Sequence, residues 1–153
     1  MIQRIQSLFW LVSVAVSAAL FFTPISQKVV FDPAQGDLLL NLYAHGYFNG
    51  SEAYLSVWPI TVVTLLVGLL SLAVIFLYKN RPLQIKLGMF LIVLSCLLLA
   101  GLFFYADTVG ESTDKSHYLV GTYLMFLQLY VLMRAVKAVK KDEELVRSAD
   151  RIR

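Results

Sequence analysis

Charge is missing from four stretches of this chain: residues 5–25, 54–78, 87–106 and 118–133 contain no Asp, Glu, Lys or Arg. A helix needs about 20 apolar residues to cross roughly 30 Å of hydrocarbon. The first three stretches approach or exceed that length, and the fourth borrows length from the helix-favouring residues that follow it. With 59% hydrophobic residues overall, the chain reads as an all-α membrane protein, an antiparallel bundle of four transmembrane helices forming one membrane domain.

The basic residues orient it. Eleven of the thirteen Lys and Arg fall on the N-terminal stub, the short hairpin 79–86 and the tail 134–153, while the opposite side holds only Lys28 and Lys115. Lys and Arg accumulate on the cytoplasmic face, so both termini and the hairpin are expected in the cytoplasm of a bacterial inner membrane, with loops 26–53 and 107–117 outside. The basic excess then has anionic headgroups as its natural partner, and nucleic acid is not implied. Residues 2–22, with Arg4 before an apolar run and small residues Ser17, Ala18 and Ala19, have the layout of a signal peptide. We read them as a retained first span.

Within the spans, small and weakly polar side chains mark packing faces. Ser13 and Ser17 recur at helical spacing in the first span, Thr61, Thr64, Gly68 and Ser71 in the second, Gly88, Ser95 and Gly101 in the third, and Gly121 in the fourth. Helices in lipid associate by close approach through such residues and by interhelical hydrogen bonds, for which Gln128 is the most polar candidate. The lone Cys96 allows no intramolecular disulfide and reads as a small core residue. Aromatic residues gather at the span ends, as they do at a bilayer interface, and Pro59 suits a helix's first turn. Asn80, tolerant of left-handed backbone, and Pro82 make residues 79–86 a tight hairpin between antiparallel neighbours.

The first outer loop is too long and too apolar for a mere connector. Residues 28–31 and 38–43 are strand-like and flank a turn-forming run at 32–37, so a small β-hairpin or folded cap is expected there. Residues 46–51 read as a turn, with Ser51 as N-cap of the second span.

Chemistry is hard to find. No acidic or basic side chain lies at membrane depth to mark a proton or ion pathway, and no pair of Gly/Pro-broken helices forms a midplane transport site. His45 and His117 share the outer face with Glu52, Asp107, Glu111 and Asp114, yet no metal-ligand spacing is complete. Phosphate loops, nucleophile elbows and zinc-protease motifs are absent. We therefore expect no enzyme, no metal and no cofactor.

From Arg134 onward there is neither Gly nor Pro. Good helix formers and the Glu143/Arg147 pair at i, i+4 predict that the fourth span runs on as a cytoplasmic helix. Leu145, Ala149 and Ile152 give it a narrow apolar stripe of the kind that docks in grooves.

Three segments, MIQRIQSLF at residues 1–9, FLYKNRPLQIKL at 76–87 and KDEELVRSADRIR at 141–153, resemble a family of four-span membrane proteins of Bacteroidota known as a domain of unknown function. The resemblance covers the whole chain and implies an inner-membrane location without implying an activity. Its segments all fall on the cytoplasmic face, where Lys79, Arg81, Gln84 and Lys86 of the hairpin stand to meet Asp142, Glu143 and Glu144 of the tail. Together with Leu145, Arg147, Asp150 and Arg151 these are the candidate partner-docking residues; the candidate helix-packing residues are Ser13, Ser17, Thr61, Thr64, Gly68, Ser71, Gly121 and Gln128. The expectation is an accessory or scaffold subunit that binds another membrane or membrane-associated protein, with homo-oligomers open to it. The alternative is a small pore or a lipid- or quinone-handling protein that uses the Thr61–Ser71 stripe and Gln128.

Overall fold

The computed structural model describes residues 2–32, 36–50, 52–78, 80–108 and 116–150. Four helices are present, α1 (Ile2–Phe22), α2 (Trp58–Phe76), α3 (Arg81–Thr108) and α4 (Val120–Asp150). They pack in a ring, each against two neighbours in the order α1–α2–α3–α4–α1. Among the described residues three segments are long and apolar enough to cross a membrane, Trp58–Phe76, Arg81–Thr108 and Val120–Val146, and Gln6–Phe22 is a shorter apolar helix. The protein is thus built to associate with a membrane.

It is not all-α. Strands β1 (Ser26–Asp32), β2 (Gly36–Tyr43), β3 (Gly46–Asn49), β4 (Glu52–Ser56) and β5 (His117–Tyr118) form one antiparallel sheet in the order β4-β3-β2-β1-β5. The expected hairpin at 28–43 is only its centre, paired from Ser26↔Leu42 to Asp32↔Gly36. Strand β4 occupies residues expected to open the second span, and Gly46–Asn49 is a strand where a turn was expected. Helix α2 begins at Trp58 after Val57, which makes no side-chain cap; Ser51, the expected cap, lies outside the described residues. Pro59 sits in the first turn as anticipated. Gly36 (φ 82°) and Gly50 (φ 62°) turn the chain between strands, in a backbone region that costs glycine little.

Alternation explains the sheet. Along β2, Leu38, Leu40 and Leu42 point inward and join Val30 and Tyr47, while Asp37 and Leu39 point out, the period-2 signature of a sheet with one buried face. That face covers one end of the helices, meeting Leu20, Ile60, Leu98, Leu102 and Met125 in a single core. A second core lies further along the helices, around Trp10, Val67, Val74, Leu91, Leu132 and Val136.

The end of α3 is bolted to the sheet. The last carbonyls of a helix have no partner within it. Here Tyr47 Oη donates to the Tyr105 carbonyl (2.7 Å), Lys28 Nζ to those of Asp107 (3.0 Å) and Ala106 (3.5 Å), and Ser116 Oγ to that of Ala106 (2.7 Å). A buried ammonium is favourable at this negative pole of the helix. Burial first, then the Asp107 carboxylate and Tyr118, push the Tyr47 phenol far above the ordinary tyrosine range, so it remains a neutral donor.

Candidate functional site

Four polar side chains from three helices meet inside the ring. Gln128 Nε2 on α4 donates to Ser13 Oγ (2.7 Å) and Ser17 Oγ (3.3 Å) on α1, and Ser13 Oγ shares a 2.9 Å hydrogen bond with Ser71 Oγ on α2. All four residues are buried, and Gln128 Oε1 has no hydrogen-bond partner among the described residues. A Cβ at Gly68 would stand 3.3 Å from Ser17 Cβ, so α1 and α2 touch closely there. Thr64 donates to the Ile60 carbonyl of its own helix. Thr61 instead reaches the Ala44 carbonyl (3.0 Å) and ties α2 to the sheet. At Gly121 a Cβ would fall 2.8 Å from the Pro24 carbonyl and Ile25, beside the Thr122 Oγ1 to Ile25 carbonyl bond. The arrangement is interhelical hydrogen bonding and close approach, with nothing titratable in it.

Cys96 is exposed on α3 and not in the core. The two histidines are not brought together: His45 is on the β2–β3 turn, whereas His117 pairs with Gln27 on the far side of β1. Among the described residues no three His, Cys, Asp or Glu side chains group as metal ligands.

At the opposite end the α2–α3 turn meets α4. Asn80 does not adopt left-handed backbone; its N–H donates to the Leu77 carbonyl, and its own carbonyl accepts the first bond of α3, from Gln84 N. Arg81 then reaches α4, with Nη2 2.9 Å from Asp142 Oδ2 and Nη1 donating to the Asp142 carbonyl (3.1 Å). The first contact is an ion pair off the hydrogen-bond axis, since Oδ2 has no aligned donor among the described residues. Gln84 is buried and caps α2, its Nε2 donating to the Val74 carbonyl (3.1 Å). Gln6 Nε2 of α1 donates to the Ala138 carbonyl (3.2 Å), a link with no signal in the sequence beyond a polar residue near a helix start.

Within the described part of the hairpin, Arg81 meets the acidic run at Asp142. Lys86 and Glu144 are exposed and Glu143 is half-buried. Lys79 and Arg151 lie outside the described residues, as do the side chains of Arg147, Ala149 and Asp150 and all of Ile152. Leu145 and Val146, 48% and 45% exposed, are the apolar surface that the described part of the tail presents.

The chain belongs to the family described as Domain of unknown function (DUF4293), whose pattern it matches over residues 2–152. No curated protein and no solved structure matches it.

Proposed function

We propose that this is a non-enzymatic accessory or scaffold subunit of the bacterial inner membrane, with both termini and the α2–α3 turn in the cytoplasm, that binds a membrane or membrane-associated protein through the end of α4. The observation that carries the reading is the Arg81–Asp142 clasp. It holds α4 to the α2–α3 turn in the last helical turns before Leu145 and Val146. A helix already fixed in place loses less conformational entropy on docking than a free tail would. Charge placement supports the orientation, because Arg81, Lys86, Arg134, Lys137, Lys140 and Lys141 cluster at this end, as cytoplasmic flanks do. The α1–α2 contact through Ser13, Ser17, Gly68 and Ser71 supports packing over a polar pore.

The test is affinity capture from gently solubilised membranes through an N-terminal tag, with mass spectrometry of what co-purifies. Leu145→Glu is expected to release a stoichiometric partner while leaving the fold intact, since Leu145 is exposed. A monodisperse, partnerless wild-type protein would refute the reading.

A further inference from the structure

A groove of about 680 Å³ runs between α1 and α2 on the outside of the ring, walled by Val14, Ala18 and Phe22 on one side and Leu65, Leu69 and Leu72 on the other. Its volume is that of a ligand site, which is typically about 300–1,000 Å³. The cause lies in the sequence. Ser17 and Gly68 bring the helices together at the floor, and Ala18 beside them is too small to fill the space between the leucine row and the α1 wall.

We propose that this groove seats one acyl chain of an outer-leaflet phospholipid, with the headgroup phosphate at His45.

Depth identifies the occupant. The lining residues of α2 run from Thr64 to Leu72, inward from Trp58, whose exposed ring marks the interfacial end of the helix. At a rise of about 1.5 Å per residue the groove extends roughly 12 Å along a membrane-crossing helix. What reaches an open apolar groove there is hydrocarbon. The floor does not ask for anything polar, because the Thr64 hydroxyl is turned to Ile60 and Ser17 Oγ receives the Gln128 amide.

The outer rim is different. His45 closes it, an exposed imidazole packed among Phe48 (ring centroids 4.8 Å apart), Tyr43 (5.7 Å) and Phe21 (6.2 Å). Its ring carries an N–H donor in either protonation state. An apolar trough ending in one aromatic-braced donor at the interface has the polarity of a single phospholipid chain and its phosphate. A quinone head, with carbonyls on opposite sides of its ring, would want donors on both, whereas His45 is the polar side chain that lines the groove at this end.

The experiment extracts the full chain from membranes, strips bulk lipid with mild detergent and measures bound phospholipid per chain by native mass spectrometry and phosphorus analysis. Wild-type protein is expected to keep one phospholipid. Ala18→Trp and Leu65→Trp, which fill the groove from opposite walls and point away from the helix contact, are each expected to lower retention at least tenfold. Circular dichroism checks that they remain helical, and either variant suffices if the other fails to fold. His45→Ala is expected to lower retention several-fold. The proposal is overturned by a lipid-free wild-type protein, by folded tryptophan variants that retain lipid like wild type, or by a quinone in place of phospholipid. Retention unchanged in His45→Ala overturns the headgroup assignment.

Discussion

Gln128→Leu distinguishes glue from machinery in the cluster shared by α1, α2 and α4. The amide makes one short bond, to Ser13, and one long one, to Ser17. Interhelical hydrogen bonds in membrane proteins average about 0.6 kcal/mol and reach about 1.7 at most. Against that loss stands Oε1, buried without a partner among the described residues, a standing penalty of about 1–3 kcal/mol that leaves with the amide. Turning the amide over would exchange the orphaned atom without removing it. After the substitution Ser13 keeps Ser71, and the Ser17 hydroxyl has its own helix's carbonyl one turn back to bond. Leucine nearly conserves the volume, so no large cavity forms. The net change is expected within about 1 kcal/mol of zero in either direction, while Gln128→Ala, which leaves a void, should cost about 2 kcal/mol or more. Reversible unfolding in mixed micelles, followed by far-UV circular dichroism, measures both. A Gln128→Leu penalty above about 2 kcal/mol would refute the reasoning, because it would mean that Oε1 has a polar partner which packing cannot replace.

Other consequences are local. Tyr47 holds its proton far more tightly folded than unfolded; the stability this contributes is complete below the unfolded value near pH 10 and is lost as pH rises beyond it, at up to about 1.4 kcal/mol per pH unit. Tyr47→Phe should flatten that alkaline limb in thermal melts taken across the range. Lys28→Met leaves the Asp107 carbonyl without its donor and is expected to cost about 1–3 kcal/mol in the same micellar unfolding assay. Gly88→Ala places a Cβ 2.5 Å from Val136 and 2.9 Å from Trp10; overpacking of about 1–3 kcal/mol is expected, read as a lowered melting temperature. Arg81→Ala removes both links to α4 and should destabilise more than Asp142→Ala, which spares the bond to the carbonyl; a double-mutant cycle should give a coupling of roughly 1 kcal/mol or more for this largely buried pair.

What the sequence conveyed well was where polar atoms are absent and where bulk is absent. Charge gaps located the helices, and Gly88, Gly121 and the Ser17/Gly68 pair are close approaches that need small side chains. It conveyed the sheet poorly for a definite reason. Residues 53–56 of β4 run without a charge into α2, so one apolar run holds a strand and then a helix, and no capping side chain marks the change at Val57. Strand β5 is two residues long and abuts α4, below what alternation can register. Helix faces were ambiguous because lipid is as apolar as a packed interior; Cys96 looks alike to hydropathy whether it faces Leu98's core or the bilayer. The direct meeting of Arg81 with Asp142 was among the pairings that charge alone allowed, yet Gln84, in the same segment, turned inward to α2. The groove has no signature of its own, since it is made by the smallness of Ala18 relative to Leu65, Leu69 and Leu72 one helix away.

Side-chain hydrogen bonds to other elements hold both ends of α3. Its 28 residues extend about 42 Å at 1.5 Å per residue, more than the roughly 30 Å of hydrocarbon that a span has to cover. At one end Tyr47, Lys28 and Ser116 hold its carbonyls to the sheet; at the other Arg81 holds α4 and Gln84 holds α2. A displacement of the sheet therefore has a stiff path to the tail, through one helix anchored by side-chain hydrogen bonds at each terminus. If α3 acts as that strut, weakening its anchor at the sheet should be felt at its anchor on α4. Lys28→Met, at the opposite end of the helices from the tail, should then raise amide exchange around Ala138–Asp142 in the folded protein, whereas Thr61→Val, which loosens the sheet only from α2, should not. Equal exchange in the two variants would mean that the sheet and the tail are independent attachments to the same ring of helices.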